Sequence, residues 1–254
     1  MKKLKNNNGH PIIDYKFEKY NSISVEEKKA AIEVIESGNL SQFVGSYCDD
    51  FNGGPKVKLF EEICRKKFDV KHAISVNSWT SGLICAVGAL DINPGDEIIL
   101  SPWTMSACAS AIIHWGAIPI FADIESTTFN IDPESIKKNI TEKTKAIMAI
   151  DIFGHSCDID KINSIAKKNN LKVITDSAQA PWSSNKNRIT GTLADIGGFS
   201  LNYHKHIHTG EGGIIVTNND NLADRMKLIR NHAESVAEKY GVKNFNNLVG
   251  YNFR

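Results

Sequence analysis

The sequence lacks an excess of charge of either sign. Its 254 residues carry 30 Lys and Arg against 29 Asp and Glu, a formal net charge of +1. This balance provides no broad electrostatic attraction for nucleic acid or for an anionic membrane surface. We therefore expect neither as a partner, although a local anion site is compatible with it. Hydrophobic residues at 41% and charged residues at 23% are typical of an ordinary globular protein.

Paired cysteines and long apolar runs are also missing. None of the five cysteines forms a Cys-x-x-Cys pair, and their odd number argues against a complete disulfide framework. Free thiols are typical of a reducing compartment. The basic N-terminus is not followed by an apolar signal core, and no run approaches the ~18 apolar residues of a membrane span. These absences predict a cytoplasmic protein.

The remaining pattern alternates apolar strands with helices. Ser24 and Glu27 form a capping-box pattern that predicts a helix ending near Gly38. Apolar runs predict strands at 73–76, 97–101, 118–123, 144–151, 171–176 and 214–217, with helices between most of them. Such alternation predicts an α/β fold, a mostly parallel sheet covered by helices on both faces. Residues 1–22 are polar, and Pro11-Ile12-Ile13 is their one obvious anchoring point.

Polar and aromatic residues follow several of these strands. Trp79, Trp103, Asp151 and Asp176 stand at or just after predicted strand ends, where sites in parallel sheets collect. The segment from Ala73 to Leu83 is a strand, a small-polar turn and a helix start, an arrangement that can cradle a phosphate. The residues themselves leave open an ordinary strand-to-helix turn without a ligand.

The segment 200–213 places a lone lysine, Lys205, between a predicted strand end and a glycine-rich turn. A lysine that forms a Schiff base must reach a carbonyl and lose its proton, which nearby cations and desolvation promote. Together with the carboxylate of Asp176, it suits a pyridoxal phosphate site. Taken alone, Lys205 is better explained as an exposed structural lysine, because most lysines are exposed.

Five motifs occur in an order and spacing that resemble one family. They are Asp176-Ser177-Ala178-Gln179-Ala180, Asp195-Ile196-Gly197-Gly198-Phe199-Ser200, Lys205, Thr209-Gly210-Glu211-Gly212-Gly213 and Gly250-Tyr251-Asn252-Phe253-Arg254. From about Ser37 onward the chain resembles the DegT/DnrJ/EryC1/StrS family of nucleotide-sugar aminotransferases, which use pyridoxal phosphate. The resemblance implies the large domain of the fold type I aminotransferases, with a seven-stranded sheet.

The resemblance also implies an activity and residue roles. The reaction would be transamination of a nucleoside-diphosphate-linked keto sugar, with glutamate as the amino-acid donor and an aldimine of pyridoxal 5'-phosphate on Lys205. Asp176 would hold the pyridine nitrogen protonated, Gln179 would lie by the ring hydroxyl and Trp103 on the ring face. The phosphate would be held by Ser78, Thr80 and Ser200. Asn252 would reach the phosphate of a neighbouring subunit, which implies a homodimer with composite active sites.

Three features depart from the family pattern. Trp79 stands where the family usually has glycine, and Asp151 stands where it often has histidine; we assign no role to Asp151. Family members continue beyond the last motif into a smaller C-terminal domain, whereas this sequence ends at Arg254. We therefore expect an N-terminal segment, 1–22, and a pyridoxal-phosphate-binding large domain, 23–254, without the small domain.

Other functions remain open at this point. A pyridoxal-phosphate-dependent sugar dehydratase is one alternative, but such relatives carry histidine in place of the lysine, and Lys205 argues against it. A truncated, non-catalytic protein that binds or senses sugars is another. His204, His206 and His208 alternate, yet without a cysteine between them they do not match a familiar metal spacing. We therefore expect no metal site.

Overall fold

The structure is a computed structural model that describes residues 15–16, 18, 21–242 and 248–254. The predicted anchor Pro11-Ile12-Ile13 lies outside these residues. The chain divides into two compact units, one up to Leu40 and one from Ser41 to Arg254. The predicted division between residues 22 and 23 stays a prediction.

The first unit contains helix α1, Val25–Ser37. Its start is a complete capping box, in which the Ser24 hydroxyl accepts from the Glu26 amide and the Glu27 carboxylate accepts from the Ser24 amide. These contacts satisfy amides that have no partner within the helix. The helix ends at Gly38, which has φ of 72° and supplies the left-handed turn. The helix predicted from the capping pattern is therefore confirmed.

The second unit contains the other helices and all the strands of the described residues. The helices are α2 Pro55–Phe68, α3 Trp79–Ala89, α4 Ser106–His114, α5 Pro133–Asn139, α6 Ile159–Lys168 and α7 Asp220–Arg230. The strands are β1 His72–Val76, β2 Glu97–Leu100, β3 Ile118–Phe121, β4 Thr144–Ile150, β5 Lys172–Asp176, β6 Ser184–Asn185, β7 Arg188–Ile189, β8 Ile196–Ser200 and β9 Gly213–Thr217.

Seven of the described strands form one sheet, in the order β1-β9-β8-β5-β4-β2-β3. The pairs within β8-β5-β4-β2-β3 are parallel, and β9 pairs antiparallel with both β8 and β1. Strand β1 therefore runs in the same direction as β8. As a result, the carboxyl ends of six strands meet the start of β9 at one edge of the sheet.

Alternate strand residues pack on opposite faces of this sheet. Ile98 and Leu100 join the core beneath α3, α4 and α7, whereas Ile99 joins the core beneath α5 and α6. At the β1 end, Ala73 joins a cluster with Phe68 of α2. Helices thus cover both faces, as predicted from the alternation. The α/β class and the seven-stranded, mostly parallel sheet are confirmed.

Two small elements lie outside the predicted pattern. Helix α5 has only seven residues, although Asp132 caps it and Pro133 opens it. Strands β6 and β7 form a hairpin whose turn residues, Lys186 and Asn187, have φ of 51° and 61°. Paired positive φ values suit the tight turn of a two-residue hairpin. Among the described residues, no helix combines the length and hydropathy required to cross a membrane.

Candidate active site

A cavity of about 540 Å³ lies at the edge where the parallel strands end. Six of the eight site residues predicted from sequence contribute to its wall: Ser78, Thr80, Asp176, Gln179, Ser200 and Lys205. They come from the ends of β1, β5 and β8 and from the segments that follow them. The parallel topology therefore brings together residues that are up to 127 positions apart in the sequence, from Ser78 to Lys205.

Asp176 is the last residue of β5 and is only 6% exposed. Its Oδ1 accepts from the indole Nε1 of Trp79 at 2.7 Å and from the amide of Ala178 at 3.0 Å. Its Oδ2 accepts from the thiol of Cys108 at 3.0 Å. A buried carboxylate needs such donors, because removal from water penalises its charge. These contacts make Asp176 a fixed negative group in the cavity wall.

The N-terminus of α3 opens into the same cavity. Ser78 is the N-cap, and its hydroxyl accepts from the Ser81 amide at 3.1 Å. The amides of Trp79 and Thr80 belong to the first turn, where no intrahelical acceptor is available. Because the helix dipole also favours negative charge at this end, the site suits an anion. The hydroxyl of Ser78 caps the helix. Of the two predicted hydroxyl donors at this helix start, Thr80 is therefore the more available to a ligand.

Ser200 ends β8 at the cavity and starts the loop that carries Lys205. Its Oγ accepts from the Asn202 amide at 3.3 Å, which leaves the hydroxyl hydrogen available for another acceptor. Asn202 then organises the loop, since its carbonyl accepts from the Lys205 amide at 2.8 Å and its side-chain amide donates to Glu211 at 2.7 Å. Lys205 is half-buried in this loop, between β8 and β9.

Gln179 is oriented by one backbone contact. Its side-chain oxygen accepts from the amide of Phe153 at 2.7 Å. This contact leaves the Nε2 group as the donor that can face a ligand. Phe153 has φ of 54°, an unusual conformation for a bulky residue. A strained residue thus fixes which end of the Gln179 amide is free.

Two predicted residues lie outside the cavity wall. Trp103 is 49% exposed, and its ring lies 5.9 Å from that of Phe129. Strand β2 ends at Leu100, and the turn that follows brings Thr104 and Met105 to the cavity instead. Trp103 does not line this cavity, and its predicted contact with the face of the coenzyme ring stays a prediction.

Asn252 is the other predicted residue outside the wall. Its side chain is exposed, and its backbone bridges Asn231. The carbonyl of the next residue, Phe253, accepts from the Asn77 amide at 2.7 Å, so this segment lies beside the turn between β1 and α3. Its predicted contact with a neighbouring subunit stays a prediction.

Asp151 is buried, and its carboxylate oxygens accept hydrogen bonds from two protein groups. The Ser177 hydroxyl donates to it at 2.6 Å and the Cys157 amide at 2.9 Å. Burial, with a smaller contribution from the Asp176 charge, raises the pKa of Asp151. It is a structural carboxylate in this arrangement.

The three alternating histidines lie in a turn rather than on a strand. His204 lines the cavity, and its ring centroid lies 3.7 Å from that of Tyr203. Within the described part of the chain, no group of three or more His, Cys, Asp or Glu side chains is placed to hold a metal ion.

A family model matches residues 22–254, almost the whole chain, and its description is the DegT/DnrJ/EryC1/StrS aminotransferase family. The chain belongs to this family. GDP-perosamine synthase of Caulobacter vibrioides is 36% identical over 228 residues, which are 90% of this chain and 58% of that protein. The family predicted from the five motifs is confirmed.

Solved structures of family relatives share the fold. The aminotransferase from Psychrobacter cryohalolentis superimposes with a TM-score of 0.82 at 34% identity, covering 94% of this chain and 60% of that one. The E. coli GDP-4-keto-6-deoxy-D-mannose-3-dehydratase with bound hydrated PLP gives a TM-score of 0.75 at 29% identity, covering 83% and 53%. The chain spans about half to three fifths of the length of the relatives that it matches.

The structure adds residues that sequence reasoning did not assign to the site. Met105, Asn202 and Glu211 line the cavity, and Trp79 and Cys108 bind Asp176. Trp79 was visible as a departure from the family glycine, and Glu211 as part of a motif. The hydrogen bond from Trp79 to Asp176 spans 97 positions, so local sequence patterns contain no signal for it.

Proposed function

We propose that the protein is a pyridoxal-phosphate-dependent aminotransferase that converts a nucleoside-diphosphate-linked keto sugar into an amino sugar, with glutamate as donor. One observation carries this proposal: Lys205, Asp176 and the open N-terminus of α3 share one cavity wall. A lysine, a buried carboxylate and an anion site are the three groups that this cofactor requires.

The residues fit the cofactor by size and donor chemistry. The cavity of about 540 Å³ lies within the range of roughly 300–1,000 Å³ that is usual for ligand pockets. The first turn of α3 and the hydroxyls of Thr80 and Ser200 offer donors for a phosphate. When bound, pyridoxal phosphate supplies an electron sink for a substrate that loses a proton from carbon.

Lys205 is the proposed catalytic residue. Its Nζ would hold the cofactor covalently at the aldehyde carbon. As a free amine, the same Nζ would move a proton at the substrate carbon, as a general base and acid. Attachment in a loop organised by Asn202 places this amine at the cavity while leaving it free to move between these roles.

Asp176 is the proposed partner of the ring nitrogen. Its buried negative charge stabilises a proton on that nitrogen, because an ion pair in a site of low dielectric is strengthened. Gln179 presents its Nε2 donor, and we propose that it binds the ring hydroxyl. For the ring face, Met105 lines the cavity, and Trp103, the residue that we propose for this face, follows the same strand outside the lining.

The substrate and assembly belong to the same proposal. A relative named GDP-perosamine synthase supports a nucleotide-linked sugar as substrate. The exposed Asn252, adjacent in sequence to a residue that contacts the start of the α3 turn, supports a homodimer in which each subunit completes the site of the other. The pattern of free thiols supports a cytoplasmic location.

Sugar dehydration on the same cofactor is the second candidate. It is favoured by the likeness to the E. coli dehydratase. The resemblance implies that such dehydratases carry histidine in place of the lysine, and this chain has Lys205. We therefore place transamination first.

The test begins with covalent capture of the cofactor. The purified chain is mixed with pyridoxal phosphate, reduced with borohydride and mapped by peptide mass spectrometry. We expect one adduct, on Lys205, that is lost in Lys205→Ala and retained in Lys186→Ala, a control at an exposed hairpin. A specific adduct on any other lysine would overturn the assignment. Incubation with glutamate and a panel of nucleotide-linked keto sugars then distinguishes an amino-sugar product from a deoxygenated one.

A further inference from the structure

The carboxylate of Asp176 is held by three donors from three different segments. Trp79 Nε1 and the Ala178 amide both donate to Oδ1, at 2.7 Å and 3.0 Å. Cys108 Sγ donates to Oδ2 at 3.0 Å. A carboxylate offers about four acceptor positions, roughly two on each oxygen. Oδ1 therefore has two N–H donors, whereas Oδ2 has one weak S–H donor and one position left.

Packing fixes the indole of Trp79 in this position. Trp79 is 5% exposed, and its ring lies over two glycines. A Cβ atom added at Gly198 would lie 2.1 Å from the ring, and one added at Gly82 would lie 2.6 Å from it. Both distances are far below van der Waals contact. The indole therefore occupies the space that a side chain at Gly82 or Gly198 would need. Its N–H is thereby directed at Asp176.

The thiol of Cys108 is a protonated donor that is held in place from both sides. Burial, and to a smaller extent the charge of Asp176, raise the pKa of Cys108, so the group stays protonated. Its sulfur also lies 3.3 Å from the hydroxyl oxygen of Thr104. The thiol thus occupies one position on Oδ2 and leaves the other position for a second donor.

We propose that Trp79 and Cys108 are positioning residues that make Oδ2 of Asp176 the oxygen that receives the ring nitrogen of the cofactor. This inference rests on the proposed function. Trp79 occupies Oδ1 and fixes the plane of the carboxylate, and Cys108 occupies one position of Oδ2, so the other position faces the charged N–H of the ring. A charge-assisted bond is roughly twice as strong as a neutral one, so a carboxylate held in this orientation favours the protonated ring nitrogen.

The test compares two cofactors that differ in one atom. Pyridoxal phosphate has the ring nitrogen, and its 1-deaza analogue has C–H at that position. The ratio of their dissociation constants, measured by fluorescence titration, reports the contact with Asp176 and requires no turnover. We expect Trp79→Phe and Cys108→Val each to reduce the preference for pyridoxal phosphate by about tenfold. We expect Cys108→Ser, which keeps a donor, to retain it.

Matched controls separate this role from packing. Trp115→Phe removes an indole N–H that donates to the Ile84 carbonyl at 2.9 Å, and Cys85→Ala removes a buried thiol from α3. Both should leave the ratio unchanged. Equal weakening of both cofactors by Trp79→Phe and Cys108→Val, or an unchanged ratio in both variants, would overturn the inference. Failure of the unmodified chain to bind pyridoxal phosphate would instead overturn the proposed function.

Discussion

The Asp151 amide donates to the Asp176 carbonyl at 3.0 Å, which joins the ends of two neighbouring strands, β4 and β5. The carboxyl groups of Asp151 and Asp176 thereby lie at neighbouring strand ends, and that of Asp176 belongs to the cavity wall. Asp176 receives three donors, whereas Asp151 receives a hydroxyl and an amide while almost fully buried. Burial first, and the charge of Asp176 to a smaller extent, raise the pKa of Asp151.

This raised pKa predicts a pH dependence of stability. The folded chain binds a proton on Asp151 at pH values where the unfolded chain has lost it. The free energy of unfolding therefore falls as the pH rises from about 4, the usual aspartate value, through the raised pKa. Asp151→Asn removes this fall, because its amide can donate to Ser177 and its oxygen can accept from Cys157.

Urea unfolding at a series of pH values measures the effect. The variant should gain stability relative to the original chain as the pH rises from about 4 toward neutrality. A difference that stays constant over this range, or that shrinks with rising pH, would contradict the prediction. Asp160→Asn, at an exposed carboxylate, is the control; paired with Lys186 and Arg188, its pKa is lowered, so its effect has the opposite sign.

Gly198→Ala tests the space that Trp79 occupies. The added methyl group would lie 2.1 Å from the indole and 2.5 Å from the Ile214 carbonyl, so ring or strand must move. We expect a loss of about 1–3 kcal/mol in the free energy of unfolding and weaker cofactor binding. Gly45→Ala is the control, since its Cβ would meet His232 at an ordinary 3.6 Å. Equal effects of both substitutions would refute the packing argument.

Sequence patterns were sufficient for the fold because strands, caps and apolar periodicity are local. The Ser24 capping box and the burial of β5 follow from residues within a few positions of one another. The carboxyl edge then follows from parallel topology, which brought Asp176 and Lys205 to one cavity. Which residues of a turn reach the cavity does not follow from local patterns: Trp103, three residues after β2, is 49% exposed and does not line the cavity, whereas Met105 does.

The lining hydroxyls predict how the phosphate contributes to affinity. Thr80→Val and Ser200→Ala each remove one donor from the cavity wall. Each substitution should weaken the binding of pyridoxal phosphate by about tenfold, the effect of one hydrogen bond to a charged group. The affinity for pyridoxal, which has no phosphate, should stay nearly unchanged. Thr192→Val is the control, because that hydroxyl donates to the Ile189 carbonyl elsewhere. Titrations of each variant with pyridoxal phosphate and with pyridoxal measure the two dissociation constants. Equal losses of affinity for both compounds would rule out a phosphate contact.

Arg230 predicts a stability effect away from the cavity. It is fully buried and donates to Glu61 at 2.7 Å, to the Ser75 carbonyl at 3.0 Å and to Asn52 at 3.1 Å. Arg230→Ala leaves the partly buried Glu61 without its cationic partner, which should lower the free energy of unfolding, measured with urea, by about 3–5 kcal/mol. The exposed pair of Arg188 and Asp160 is the comparison, and Arg188→Ala should lower the free energy of unfolding far less, because solvent screens an exposed pair. Similar losses of unfolding free energy in Arg230→Ala and Arg188→Ala would show that burial does not determine the effect of removing the arginine.

The five free cysteines differ in exposure, and this difference predicts their reactivity. Cys48 is exposed, Cys64 is half-buried, and the other three are buried. Because the thiolate is the reactive form, a raised pKa slows a thiol further. Burial raises the pKa of Cys64 to about 11 and that of Cys85 to about 12, and it also raises those of Cys108 and Cys157.

We therefore expect one fast thiol in the folded chain when it is titrated with an aromatic disulfide at neutral pH, and all five after denaturation. Cys48→Ser should abolish the fast phase, whereas Cys85→Ser should leave it unchanged. Rapid labelling of Cys108 would contradict its assignment as a buried donor to Asp176. A thiol that the reagent reaches quickly is accessible to solvent, whereas Cys108 is fully buried in its hydrogen bond to that carboxylate. Labelling kinetics thus provide an independent check of the arrangement around Asp176, with no cofactor present.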